Sequence, residues 1–311
     1  MSNSTKNQLV TVILYCYKKF DYIFDTIDSI LIQDYPEIEL LVADDGSVNF
    51  PEKEISQYIE ENKNQNIKQV YIRHNSKNLG TVKNLNSIIP LSKGEYIINI
   101  AGDDVFYDNS VISKIVKRFI CTGADLLSCT RELCDERSLV HIGYLPSEKD
   151  ISVILTMDTP EKQKRAFLAF DFHNIASGSA TYYTKKHFEE FGYFDERYIL
   201  WEDGPKYLSY ANQGKCITTA YDIISIKYRD GGLSNSGHNI WNSNSKYEID
   251  KKKYIKLALT DYPSYKEDIF QGIWRYWDWA TNYRHRIYLM LYYPSFGIQI
   301  LKNKLLHKPI R

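Results

Sequence analysis

Asp103 and Asp104 close a short apolar run, residues 96–101, that reads as a buried strand. Two adjacent carboxylates repel unless a positive group sits between or beside them. A divalent cation with oxygen ligands meets that need, and such a cation commonly accompanies a phosphate-bearing substrate. The competing reading is a loop in which Asp104 or Asp108 caps the next helix. A second acidic cluster, Asp44-Asp45-Gly46-Ser47, follows the apolar run 38–43. A carboxylate there could accept from the N3–H of a pyrimidine base or from a ribose hydroxyl; the same residues also make an ordinary β-turn. A third cluster, Glu202-Asp203, follows Trp201 and the GYFDE segment at 192–196. It could supply a general base, or Asp203 could simply cap a helix.

The elements that must position these groups alternate along the first half of the chain. Residues 9–15 are apolar and β-branched, a strand pattern. Ile23, Phe24, Ile27, Ile30 and Leu31 then recur at helical spacing. A strand at 38–43, a polar helix at 51–64, a strand at 70–73 and a helix from Asn78-Leu79-Gly80 to about 89 follow. A fourth strand at 95–101, a helix at 109–121 and a fifth strand at 126–129 complete the series. This rhythm predicts an α/β fold with a mostly parallel central sheet and helices on both faces. In such sheets ligands bind beyond the carboxyl ends of the strands, where Tyr15, Asp44, Arg73 and Asp103 fall. After residue 135 the rhythm breaks. Helices are expected at 161–172 and 204–213, with Gly214 as C-cap, and strands at 179–184, 216–220 and 223–228. From about 247 the chain reads as helical, basic and aromatic, so one domain is expected over 1–235 and a C-terminal helical extension over 236–311.

Composition narrows the function classes. Lys+Arg and Asp+Glu both number 39, so net charge gives no bias toward nucleic acid. The 26 tyrosines suit work on sugar faces as well as ordinary core use. The five cysteines, Cys16, Cys121, Cys129, Cys134 and Cys216, have no CxxC spacing, which indicates neither a zinc site nor a disulfide framework and fits a reducing compartment. The polar start, residues 1–8, lacks an apolar signal core. No run approaches the roughly 18 apolar residues that a spanning helix needs. A cytoplasmic location is therefore expected.

In combination and in this order, the DDGS element, the Asn-x-Gly helix start, the Asp-Asp pair and the GYFDE segment with Trp-Glu-Asp resemble the family 2 glycosyltransferases, over about residues 10–234. The resemblance implies the GT-A fold, Rossmann-like, and transfer of a sugar from a nucleotide-diphosphate donor, UDP by expectation, with inversion at the anomeric carbon. It implies that Tyr15, Tyr17, Asp44, Asp45, Lys83, Asp103 and Arg229 border the donor. It places Asp104, with Asp103 and His238, on a Mn²⁺ or Mg²⁺ ion, and Asp203, with Glu202 beside it, as the catalytic base. The acceptor it implies is a hydroxyl of a glycan or a lipid-linked saccharide in cell-surface polysaccharide or glycoconjugate synthesis. Two departures from the family pattern stand out: Ala101 where many members carry an acid, and Lys83-Asn84 where Arg-Asn is common. Lys is a point charge where Arg is a fork.

Two other readings compete. A nucleotidyltransferase making a nucleotide sugar would want a Gly-rich loop after the first strand, where this chain has Tyr15-Cys16-Tyr17-Lys18-Lys19. A non-catalytic sugar-nucleotide-binding module would keep Asp44 and need not keep Asp203. The region 273–293 carries Trp274, Tyr276, Trp277, Trp279, Tyr283, Tyr288, Tyr292 and Tyr293 with Arg275, Arg284 and Arg286. It reads as a packed appendage, as a surface resting peripherally on the inner face of a membrane, or as a homo-oligomer or acceptor contact.

Overall fold

Apolar side chains alternate along the first strands and land on both faces of one sheet. The computed structural model describes residues 7–170, 175–230, 246–278, 287 and 290–305. Strands β1 (Val10–Cys16), β2 (Ile38–Asp44), β3 (Ile67–His74) and β4 (Tyr96–Ala101) pair in parallel in the order β3-β2-β1-β4. They alternate with helices α1 (Ile23–Leu31), α2 (Glu52–Asn62), α3 (Thr81–Ile88) and α4 (Val111–Thr122). Val10, Val12, Leu14, Leu40, Val42, Ile98 and Ile100 pack with α1, α2 and α4 on one face. Ile13, Leu41, Ala43 and Ile97 pack with α3 on the other. Both faces are covered, which is why the strands read as continuous apolar runs.

The second half departs from the expected parallel series. The remaining strands are β5 (Val105–Phe106), β6 (Leu126–Cys134), β7 (His141–Leu145), β8 (Thr181–Thr184) and β9 (Thr218–Arg229). The sheet continues from β4 as β8-β6-β9-β5, with β7 paired to β6. β8 is antiparallel to both β4 and β6. β6 therefore runs in the same direction as β4 but is not its neighbour. Pattern alone reports that a strand exists, not which edge it joins. The two strands expected at 216–220 and 223–228 are one strand, β9, with register breaks against β6 around Thr130. The hairpin strand β7 and two further helices, α5 (Glu148–Ile154) and α7 (Lys185–Phe191), were not anticipated.

Helices α6 (Pro160–Leu168) and α8 (Asp203–Asn212) match expectation closely. Gly214 adopts φ +77° and its N–H bonds Ala211 O at 3.1 Å, ending α8 as predicted. The C-terminal helices are α9 (Lys246–Asp261), α10 (Lys266–Asp278) and α11 (Pro294–Leu305). Tyr254, Ile255 and Ala258 of α9, Ile269 and Ile273 of α10, and Phe296 and Ile300 of α11 are buried in one cluster with Val82 and Leu85 of α3 and Tyr207 of α8. The hydrophobic core thus crosses the division expected at residue 235. Tyr293 is buried in it and Tyr292 is exposed. Trp279, Tyr283 and Tyr288 lie outside the described residues.

Candidate active site

The parallel register fixes the site, because Cys16 pairs with Asp44, Asp44 with His74, and Tyr15 with Ala101. All these residues therefore reach the same sheet edge. Asp44, the last residue of β2, is fully buried. Its Oδ1 accepts from Ser47 Oγ at 2.6 Å, and its Oδ2 accepts from Ser47 N–H at 2.8 Å and from His74 Nδ1 at 2.7 Å. Asp45 accepts from the N–H groups of Leu79 at 2.8 Å and Gly80 at 2.9 Å and from Asn78 Nδ2 at 2.9 Å. It ties the start of α3 to the end of β2. Gly80 sits at φ +87°, and a Cβ there would meet the Ile199 carbonyl, so only glycine fits.

The other donor-side expectations divide. Tyr17 stands at the rim, 37% exposed, with the Lys18 ammonium 5.0 Å from its ring centre. Lys83 is exposed on α3, whereas its neighbour Asn84 is buried and bonds Ala43 O at 3.1 Å. Arg73 turns away from the site and donates to Ser87 O. His74 takes the strand-end position instead. Arg229 is buried rather than open to a ligand. Its guanidinium donates to Asp25 Oδ2 and Glu136 O, both at 2.8 Å, and lies 3.9 Å from the centre of the Tyr22 ring. His238 lies outside the described residues.

Asp103 and Asp104 leave the end of β4 on a turn. Gly102 N–H bonds Tyr15 O at 2.9 Å, and Asp104 N–H bonds Ala101 O at 3.1 Å. Asp104 is buried; its Oδ1 accepts the Arg229 N–H at 3.2 Å, and its carbonyl accepts from Thr26 Oγ1 at 2.7 Å. Burial, and then Asp103, push the Asp104 carboxyl well above the ordinary carboxylate range. Asp103 is also raised by burial, against the opposing pull of Lys19 and Arg229. Lys19 itself pairs with Glu136 at 3.5 Å on the rim.

Glu202 and Asp203 begin α8. Asp203 Oδ2 accepts Gly178 N–H at 2.8 Å and Oδ1 accepts Gly204 N–H at 2.7 Å. Asn99, on β4, donates to Gly178 O at 2.8 Å. The Gly178 peptide thus links the strand that carries Asp103-Asp104 to the helix that carries Asp203. A Cβ at Gly178 would strike Glu202 Oε1. Burial, then mutual repulsion, raises Glu202. Burial also raises Asp203, opposed by the Gly178 and Gly204 amides and by Arg131.

Both carboxylate pairs lie near enough to Tyr15 to act on it: burial, then Glu202, Asp104 and Asp103 in that order, push its hydroxyl well above its usual range. Arg131, on β6, acts on both Asp104 and Asp203, opposing the rise that burial causes in each. Its guanidinium donates to Ser177 and Ser179 hydroxyls and lies 4.8 Å from the Tyr228 ring centre. Sequence reading missed Arg131, Gly178, Asn99 and His74. Pairing across the sheet brings in Asn99, Arg131 and His74, and the short turn before β8 brings in Gly178. A strand-borne Arg in LSCTRELC was the one available signal.

A sheet with four parallel strands in its first half, a mixed second half and carboxylates near the switch between them defines a GT-A fold protein. The chain belongs to glycosyl transferase family 2, whose family model matches residues 11–191 and so includes Asp44, Asp103 and Asp104 but stops short of Asp203. An uncharacterized glycosyltransferase of Rickettsia typhi is 27% identical over 209 residues, 65% of this chain and 60% of that protein. TuaG of Bacillus subtilis, a glycosyltransferase assigned to teichuronic acid biosynthesis, is 33% identical over 96 residues, 31% of this chain and 36% of TuaG. The chain thus matches well under two thirds of the length of each. Among solved structures, a mannosyltransferase of Pyrobaculum calidifontis in complex with GDP-mannose and Mn²⁺ superposes with a TM-score of 0.60 at 15% identity, over 87% of this chain and 72% of that one. Residues 1–349 of Staphylococcus aureus TarS with UDP-GlcNAc superpose with a TM-score of 0.58 at 16% identity, over 97% and 93%. At these identities the likeness establishes the fold.

Proposed function

We propose that this chain is an inverting glycosyltransferase that moves a sugar from a UDP-sugar to a hydroxyl of a glycan or lipid-linked acceptor in cell-surface polysaccharide synthesis. The observation that carries the reading is the pair of carboxylate clusters, Asp103-Asp104 at the end of β4 and Glu202-Asp203 at the start of α8, linked through the Gly178 backbone and both acting on Tyr15. A buried like-charge pair suits a cation on one side and a proton acceptor on the other. The GDP-mannose and UDP-GlcNAc complexes of the structural neighbours, and the teichuronic acid assignment of TuaG, support the donor class and the polysaccharide context.

Asp203 takes the proton of the acceptor hydroxyl as that oxygen attacks the anomeric carbon from the face opposite the leaving diphosphate. A single displacement inverts the centre. The amides of Gly178 and Gly204 hold Asp203 in one orientation, and Arg131 moderates the field between the two clusters. Asp104 and Asp103 fit Mn²⁺ or Mg²⁺, since both are hard oxygen donors whose repulsion a dication would relieve. No cluster of three metal-ligating side chains exists among the described residues, so donor phosphate oxygens and water would complete the shell. When bound, the ion would neutralise charge growing on the leaving diphosphate. A screen of nucleotide sugars for Mn²⁺-dependent release of nucleoside diphosphate tests the reading. A UDP-sugar is expected to release UDP slowly alone, by hydrolysis, and faster with acceptor, by transfer; no response to any uridine donor would overturn the UDP assignment.

Peripheral membrane contact is part of this reading for a lipid-linked acceptor. No helix among the described residues is long and apolar enough to cross a membrane. Ile298, Leu301 and Leu305 nevertheless form an exposed apolar stripe on α11, at spacings of three and four residues. Residues 279–311 hold Arg284, Arg286, Lys302, Lys304, Lys308 and Arg311 with no Asp or Glu, in a chain whose charges balance overall. An apolar stripe beside basic residues suits an anionic lipid surface. The protein is expected to co-sediment with phosphatidylglycerol vesicles and not with phosphatidylcholine vesicles, less so at high salt, and Leu301→Asp should abolish it. Equal behaviour on both vesicles, or a dimer that Leu301→Asp dissociates, would assign the stripe elsewhere.

A further inference from the structure

We infer that Asp250, on the C-terminal helix α9, is the positioning residue of the Glu202-Asp203 pair, so that the reaction depends on a residue well outside the family-matched segment. Asp250 is buried, 1% exposed. Its Oδ2 accepts three consecutive backbone N–H groups, Ile199 at 2.8 Å, Leu200 at 2.7 Å and Trp201 at 3.1 Å. One carboxylate oxygen inside a nest of three amides fixes the backbone more firmly than neutral acceptors do, since bonds to an ionised group are roughly twice as strong. The next residues in the chain are Glu202 and Asp203.

The other side of the same loop is anchored to the donor half. Ile199 O accepts Val82 N–H at 3.1 Å, at the start of α3, and packs on Gly80, whose own N–H bonds Asp45. The loop therefore spans two supports, α3 with the DDGS turn on one side and α9 on the other. Asp250 sets the height of the carboxylate pair above the donor face. It has no route to substrate, being enclosed beneath the loop, so it acts through Glu202 and Asp203.

This inference rests on the proposed transfer reaction, and its test separates the two. Asp250→Asn keeps an oxygen acceptor but removes the charge that holds three amides; Asp250→Ala removes both. Asp250→Asn is expected to lower kcat by about 10–100-fold with donor KM changed less than about threefold, as for misplaced catalytic groups. A second readout is the acid limb of the pH profile. The groups facing Glu202 are Asp203 on α8, Asp250 and Tyr247 on α9, Tyr15 on β1 and Tyr183 on β8. Removing the Asp250 charge weakens the proton's hold on Glu202, so the limb moves to lower pH. A third readout needs no turnover: amide exchange at residues 199–201 should quicken in Asp250→Asn while the β1 and β4 amides stay protected. Normal kcat with an unmoved limb in Asp250→Asn would overturn the inference, as would protection at 199–201 equal to the native chain. Equal loss of protection across β1, β4 and the loop would reduce Asp250 to a general structural role and overturn it too. Quickened exchange at 199–201 in a chain with no detectable transfer would uphold the positioning role and sink the reaction.

Discussion

Asp203→Asn should lower turnover by about 10²–10⁴-fold, the usual worth of a placed general base, while donor affinity holds. The substitution keeps the side chain's shape but leaves no basic oxygen lone pair for the acceptor proton. One of the two amides that Asp203 now accepts, Gly178 or Gly204, would face an NH₂ group instead. That loss is partly offset, because a charge buried beside Glu202 disappears. Thermal melting should therefore shift little, and a large fall in melting temperature would mean that lost folding explains the lost rate. Retention of near-normal turnover would move the base to Glu202. The pH dependence has a definite sign. Both carboxyls are raised by burial, so the base form accumulates only above the ordinary carboxylate range, and kcat should rise with pH through that region. In stability the same shift works the other way. The native state holds these protons when the unfolded chain has released them, so these groups' contribution declines as pH climbs from their unfolded values through their folded ones. An activity optimum on the alkaline side of the stability optimum is the expected signature.

Asp104→Asn should abolish Mn²⁺-dependent donor binding, raising the apparent Kd for the nucleoside diphosphate by at least about 10²-fold, since even outer-shell partners of a metal are worth about 10–100-fold. The metal-free variant should be as stable as the native chain at neutral pH, or more so. Asp104 has a folded pKa raised by burial and by Asp103, so ionising it opposes folding above its unfolded value. Asparagine keeps the acceptor for the Arg229 N–H without that charge. Addition of Mn²⁺ should raise the native melting temperature more at pH 7 than at pH 5, because protons compete with the ion for the same oxygens. Asp104→Asn should show no such rise. A variant that keeps the Mn²⁺ response would place the ion elsewhere, and one that melts far earlier without metal would make Asp104 a structural hub.

Much of this was legible in the residue pattern. Apolar runs at 9–15, 38–43 and 96–101 read as buried strands, and their order with amphipathic helices implied parallel pairing. Acidic residues just past those runs had to emerge at one edge, because parallel strands share their carboxyl ends. What could not be read was neighbourhood. A chain pattern reports period and polarity, both local properties, and says nothing about which strand edge pairs with which. The placing of β8 between β4 and β6 therefore escaped it, and with β8 the approach of Arg131 to Ser177 and Ser179.

The same limit explains the residues whose surroundings the sequence reading did not capture. Asp44 and Arg229 have the chemistry of ligand groups, yet one is enclosed by Ser47 and His74 and the other by Asp25, Glu136 and Tyr22. Their side-chain types are set by the sequence; whether those side chains face water or protein depends also on distant partners, His74 being 30 residues from Asp44 and Asp25 204 residues from Arg229. The sequence by itself determined the class of fold, the strand-end placement of Asp103-Asp104 and the existence of a second acidic pair at Glu202-Asp203. Only the tertiary structure decided that both pairs act on Tyr15, that the Gly178 backbone links the strand of one to the helix of the other, and that a carboxylate on the C-terminal helix, Asp250, holds the amides just before the second pair. Those are relations between segments far apart in sequence, and packing alone brings them within hydrogen-bond reach.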